Sequence, residues 1–260
     1  MNRETGVQVR APPRAQCSVA SPERFVVFRK DSEKEQTVKR ILVIAAMAAA
    51  CGGSSGTAVD HNRTGSGSST LLVTSNVTVT VSATAPLTAF SVTVKDRLGA
   101  NVSGATVTVH NAALGDVVLT EAQTGSGVYA NTSTSYPSGD LSLSVVNGTD
   151  KVQGVVVGYP GTHAINAPVG GSTQTANAAL HVSWTTPAVA KAATISLSSG
   201  GFSAQAPDTG AYDVPAASNT ARTGQRVTIV RSNEVDIAGG LPGSSMKVTV
   251  SNRGDTFTVQ

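Results

Sequence analysis

What most constrains this chain is an alternation that keeps returning. Val77, Val79 and Val81 alternate with Asn76, Thr78, Thr80 and Ser82, so an extended segment there has one apolar and one polar face. The same period of two recurs at Val92 and Val94, at Ala105, Val107 and Val109, and at Leu141, Leu143 and Val145. It resumes at Leu180, Val182 and Trp184, at Ile195 and Leu197, at Val227 and Ile229, and at Met246, Val248 and Val250, with a last run at Phe257 and Val259. A helix would scatter these residues around its circumference, whereas a strand places them all on one side. Turn residues punctuate the runs: Asp96-Arg97-Leu98-Gly99, Gly125-Ser126-Gly127, Pro137-Ser138-Gly139-Asp140 and Asn147-Gly148. Short alternating strands at this spacing predict an all-β protein made of β-sandwiches.

A different pattern precedes the first strand. Lys39 and Arg40 are followed by ten uncharged apolar residues, 41 to 50, and then by Cys51-Gly52-Gly53. As a helix the run spans roughly 15 Å, half of a ~30 Å hydrocarbon core, which is too short to cross a membrane and fits a signal-peptide core. The stretch resembles the export signal of bacterial lipoproteins, with Ala49 and Ala50 as the small residues before the lipidated cysteine and Ala48 where an aliphatic residue is usual. The resemblance implies a diacylglycerol on Cys51, hence a membrane partner, and Gly52 after it implies sorting to the outer membrane, facing the periplasm or the surface. Residues 38–50 are then the signal peptide. Residues 1–37, with Pro12-Pro13 and no sustained period, are expected to be a disordered leader, and translation is expected to begin at Val38.

Cutting the chain at Cys51 changes its electrostatics. The formal charge of +3 comes from 19 basic and 16 acidic side chains, but nine of the former and five of the latter lie before Cys51. The remainder carries ten basic and eleven acidic groups, a formal charge of −1. Scattered charges summing to near zero offer no stripe for phosphates, so nucleic acid is not expected as a partner. The cysteines are Cys17 and Cys51. With one removed and one lipidated, the body has no disulfide and must be held by packing. Residues 51–70 are rich in Gly and Ser and are expected to be a flexible tether, in which His61 is solvated. Residues 71–160 and 176–260 are expected to be two tandem sandwiches joined by a Pro- and Gly-rich linker, 161–175.

The run Val92-Thr-Val94-Lys-Asp96-Arg-Leu-Gly99-Ala-Asn-Val102-Ser-Gly104-Ala105, followed by Gly127-Val-Tyr129, resembles bacterial Ig-like domains and carboxypeptidase regulatory-like domains. That resemblance implies a hairpin turn at Asp96–Gly99, a strand beginning after Val102-Ser-Gly104-Ala105, and no catalytic residue. In the second half, Asp208-Thr209-Gly210-Ala211-Tyr212 contains the Asp-Thr-Gly of aspartic proteases, but such enzymes need two copies. The alternative is the Ig-type tyrosine corner, in which Asp208, Gly210 and Tyr212 act together and the tyrosine hydroxyl bonds back to the chain. This structural role is the one expected here.

Other chemistry is not expected. The histidines at 61, 110, 163 and 181 show no metal-ligand spacing, and His110 and His181 fall on the outward phase of strands. There is no Gly-x-Ser-x-Gly elbow and no phosphate loop. No catalytic residue, metal or cofactor is therefore assigned. The sequence predicts a non-catalytic, lipid-anchored cell-envelope protein with structural, adhesive or protein-binding roles. The competing expectation is a carbohydrate-binding or enzyme-accessory lipoprotein, which requires exposed rings among Tyr136, Tyr159 and Trp184. The protein or glycan partner is not legible in the sequence.

Overall fold

The structure is a computed structural model that describes residues 62–198 and 201–260, so Cys51, its apolar run, the leader and His61 lie outside the described residues. The body is built from strands, with one short 3-10 turn at Ala216–Ser218. In chain order the first are β1 (Arg63–Gly67), β2 (Leu72–Thr80), β3 (Leu87–Lys95), β4 (Thr106–Asn111), β5 (Gly115–Glu121) and β6 (Val128–Ser133). Next come β7 (Leu141–Asn147), β8 (Asp150–Val157), β9 (Ile165–Ala167), β10 (Thr173–Gln174), β11 (Leu180–Trp184) and β12 (Ala192–Leu197). The last are β13 (Ser203–Ala206), β14 (Ala211–Val214), β15 (Arg222–Gln225), β16 (Val227–Asp236), β17 (Ser245–Arg253) and β18 (Phe257–Val259).

The fold is all-β, a sandwich arrangement of mostly antiparallel ladders. One ladder runs β1-β8-β7-β4-β5-β6-β3-β2-β17-β16-β12-β13. It turns a corner at β5, whose Val117, Val118 and Leu119 pair with β4 and whose Thr120 and Glu121 pair with β6. The two arms close on a core in which Val77, Val79, Phe90 and Val92 meet Val107, Val109, Leu141, Leu143 and Val155. The residues that alternate apolar in sequence are thus the buried ones, because only one face of each strand is turned inward. A second core, with Leu180, Val182, Trp184, Ile195, Leu197, Val227, Ile229 and Phe257, lies among β11, β12, β16 and β18.

The two cores share strands. β17 pairs in parallel with β2, setting Val248 beside Val77 and Val250 beside Val79. Met246, Val248 and Val250 therefore join the first core although they come from the C-terminal half. β16 is longer still in its reach. Its Val227 and Ile229 belong to the second core, and its Val235 to the first. Residues 161–175, expected as a linker, contain β9, which pairs with β11, and β10, which pairs with β18. Within 51–70, expected as a tether, residues 63–67 form β1, the edge strand, which pairs with β8. Neither segment alternates, because each is held by backbone bonds rather than by an apolar face. Close approach explains the glycines of β1: a Cβ on Gly67 would lie 2.3 Å from the carbonyl oxygens of both Gly239 and Lys151.

Tyrosine hydroxyls tie loops to the first sandwich. Tyr129 on β6 is buried; its hydroxyl donates to the Val102 carbonyl at 2.8 Å and accepts from the Ala105 N–H at 2.9 Å. The bonds fix the entry to β4. Tyr129→Phe leaves a buried carbonyl and N–H unsatisfied, and is expected to destabilise the body by about 1–3 kcal/mol. Urea unfolding of the two proteins measures it.

Candidate functional site

β16 carries an unusual pair on its inward phase. Val227, Ile229, Arg231, Asn233 and Val235 all face inward, so an arginine and an asparagine sit where the strand passes from one core to the other. The Arg231 side chain is 0% exposed and the Asp208 side chain 2%. Arg231 Nε lies 3.1 and 3.0 Å from the two Asp208 oxygens, and Nη2 lies 2.6 Å from Oδ2. Its Nη1 donates to the Pro160 carbonyl at 2.5 Å and reaches the Gly161 carbonyl at 3.4 Å, while Nη2 also donates to the Ala188 carbonyl. All of the guanidinium's donors have acceptors, the condition under which a buried charge is tolerable.

Asp208 also receives Trp184 Nε1 at 2.8 Å, and the Gly210 carbonyl accepts the Trp184 backbone N–H at 2.8 Å. Gly210 has φ +84°, a left-handed conformation that glycine adopts without a Cβ penalty. Tyr212 pairs with Val182 across β14 and β11 and packs its ring on Phe202, with centroids 6.2 Å apart. The three residues expected to form a corner are therefore close together, with Asp208 and Gly210 gathered on Trp184. Among the described residues, the Tyr129 hydroxyl bonds back to the chain. Tyr136 does the same, accepting from the Ser82 N–H at 2.8 Å and donating to the Ser82 carbonyl at 3.0 Å.

Two further side chains were not singled out in the sequence. Asn233 Nδ2 donates to the Gly158 and Val189 carbonyls at 2.8 and 2.9 Å, and its Oδ1 accepts the Lys191 N–H. His163 is 3% exposed, and neither ring nitrogen has a hydrogen-bond partner. Burial, and then the Arg231 charge, lower its pKa to about 4; the Ile229 backbone and the Asp208 carboxylate oppose this and are outweighed. It is a neutral imidazole next to an ion pair. By contrast His110 and His181 stand on outward phases, exposed, each 2.7–2.8 Å from the aspartate directly across the ladder, Asp116 and Asp213.

Beside this joint runs a groove of about 920 Å³. Its walls are the 137–140 loop, the 158–162 segment and the 187–189 loop, with Asn62 at one end and Asn233 beneath. Tyr159 lines it, buried; its hydroxyl has no partner, and burial first of all pushes its pKa well above 10, so it stays a neutral phenol. Trp184 and Tyr159 are 3% and 7% exposed, and Tyr136 is half-buried. Among the described residues, no group of three His, Cys, Asp or Glu is placed to hold a metal.

No protein-family model matches the chain, and no curated protein matches it. Among solved structures, the fibronectin(III)-like modules of Clostridium thermocellum CbhA are similar, at 12% identity and a TM-score of 0.23, over 71% of this chain and 94% of that one. The strand ladders described above, rather than this likeness, define the fold.

Proposed function

We propose that the chain is a non-catalytic, lipid-anchored cell-envelope protein whose Ig-like body presents a binding surface clear of a membrane. The observation that carries this reading is the joint: β16 serves both cores, and Arg231, saturated by Asp208 and three carbonyls, locks the two halves at their boundary. Such a joint resists bending, which suits a body that must hold a surface in a fixed orientation. The anchor is argued from Lys39 to Cys51, and the Gly- and Ser-rich residues after Cys51 supply the separation. A carbohydrate platform is less well supported, because Trp184 and Tyr159 are buried and the half-buried Tyr136 has its hydroxyl tied to Ser82.

Expression in a bacterium fed a radiolabelled fatty acid tests the anchor. The wild-type chain is expected to take up label and sediment with membranes, and Cys51→Ala to lose both properties. An unlabelled wild-type chain, or a Cys51→Ala chain that stays with membranes, would overturn the reading.

A further inference from the structure

The long ladder has two ends, and the fold treats them differently. At one end β1 is covered: the Ala238 N–H donates to the Thr64 carbonyl at 3.0 Å, beside the close approach of Gly67 to Gly239. At the other end β13, Ser203–Ala206, pairs with β12 on one side. Among the described residues, no strand pairs with its other side. Edge strands ordinarily carry a charge, an internal proline or a bulge that discourages further pairing. Ser203-Ala204-Gln205-Ala206 has none of these.

The register says which backbone groups are free. The Leu197 N–H donates to the carbonyl of Phe202 directly opposite, at 3.2 Å, so the next bonded pairs are Ile195 with Ala204 and Ala193 with Ala206. The other side of β12 agrees: the Ser198 N–H donates to the Arg226 carbonyl, so even-numbered residues of β12 serve β16 and odd-numbered ones serve β13. The N–H and C=O groups of Ser203 and Gln205 therefore point away from β12, into the open edge. The side chains alternate as well. Ser203 and Gln205 are exposed on the outer face, whereas Phe202, Ala204 and Ala206 turn inward and are half-buried. Their neighbours on β12, Ala193, Ile195 and Leu197, are buried. The second core is thus closed at β12 and left partly open at β13.

We propose that β13 pairs antiparallel with β13 of a second copy of this chain, about a two-fold axis at Ala204. Ser203 of each copy then bonds Gln205 of the other, and four backbone hydrogen bonds use all the free groups of both residues. The ladder ends at the same place on both copies. Gly201, at φ +69°, leaves the strand conformation, and it falls opposite Pro207, which has no N–H. Ala204 meets its own copy in a non-hydrogen-bonded pair, where Cα atoms approach to about 4.5 Å and a small side chain fits. Phe202 lies across from Ala206 of the second copy, so each half-exposed ring covers the other's methyl group. A second copy brings the neutral strand, the apolar inward phase and the polar outward phase together, the self-complementarity that a two-fold contact needs. The contact is small, so a dissociation constant of about 10–100 µM is expected. It is independent of the lipid anchor.

Disulfide trapping tests it in the full chain with Cys17→Ser and Cys51→Ala, which removes both native thiols and the lipid site. Single cysteines are placed at Ser203, Ala204 and Gln205, and the chains are oxidised with copper phenanthroline. Ala204→Cys is expected to cross-link at least about tenfold faster than Ser203→Cys or Gln205→Cys alone, because only position 204 meets itself within disulfide reach. A mixture of Ser203→Cys and Gln205→Cys chains should cross-link as mixed pairs. Random collision would give the reverse order, since 203 and 205 are exposed and 204 is half-buried. Gln205→Pro removes an outward N–H that β12 does not use, and is expected to leave the chain monomeric by sedimentation equilibrium with its unfolding midpoint retained. A cysteine-free chain that stays monomeric at about 500 µM, cross-linking that follows exposure, or a dimer that survives Gln205→Pro would overturn the inference.

Discussion

Arg231→Ala is expected to destabilise the body by about 3–5 kcal/mol, the scale for removing one partner of a buried ion pair. The loss is not the strength of the pair itself. Asp208 stays buried with a charge matched only by the Trp184 N–H, and the Pro160 and Ala188 carbonyls lose their donor. A folded domain has only 5–15 kcal/mol in hand, so this single change removes a large part of it. The companion experiment separates charge from packing. Arg231→Met with Asp208→Asn leaves no unpaired charge, keeps an acceptor for Trp184, and fills most of the side-chain volume. That double variant is expected to recover at least half of the loss, because isosteric apolar replacement of buried pairs is often near neutral. Urea unfolding followed by Trp184 fluorescence measures both, since the indole belongs to the second core and bonds the same carboxylate. A cost below about 1 kcal/mol for Arg231→Ala would mean that water reaches the joint.

The position of this joint was partly legible in the sequence. Counting the alternation of β16 forward from Val227 and Ile229 puts Arg231 and Asn233 on the buried phase, and a charge on that phase demands a partner. The partner was not legible. Asp208 is 23 residues away across two strands, and its Asp-x-Gly-x-Tyr context pointed to a local corner instead. The strands themselves were readable wherever one face is apolar, from Val77 to Val259. β1, β9 and β10 were not, because Gly65, Gly67 and the segments around Pro168 contribute ladder bonds rather than side chains to a core, nor were β5, β13, β14 and β15, each of which buries at most one residue. The groove was beyond reach for another reason. Its walls come from residues near 62, 138, 160, 188 and 233, and nothing local to any of them signals the others.

The stability of the body is expected to fall as pH drops from about 6.5 towards 4, with His163 the main cause. The sign follows from where the protons sit. In the unfolded chain this imidazole titrates near its ordinary 6.5, whereas in the folded body burial, and next Arg231, bring it to about 4. Between those values the unfolded state binds more protons, so stability is full above about 6.5 and is lost progressively on acidification. A separation of this size corresponds to roughly 3 kcal/mol at about 1.4 kcal/mol per unit, reached only near the lower end of the window. Burial and the Arg231 charge outweigh the Ile229 backbone and the Asp208 carboxylate, so protonation in the folded state places a second positive charge beside Arg231 at a net cost. His163→Phe removes the titrating group while keeping a planar ring, and His163→Leu serves where the larger ring strains the site. Urea unfolding from pH 7.5 to 4.5 should show the wild type losing about 2–3 kcal/mol more than either variant. The exposed His110 and His181 are common to all three proteins and cancel in the difference. Superimposable pH profiles would show that the ring is already solvated in the folded body, and with it that the joint between the two cores is open to water.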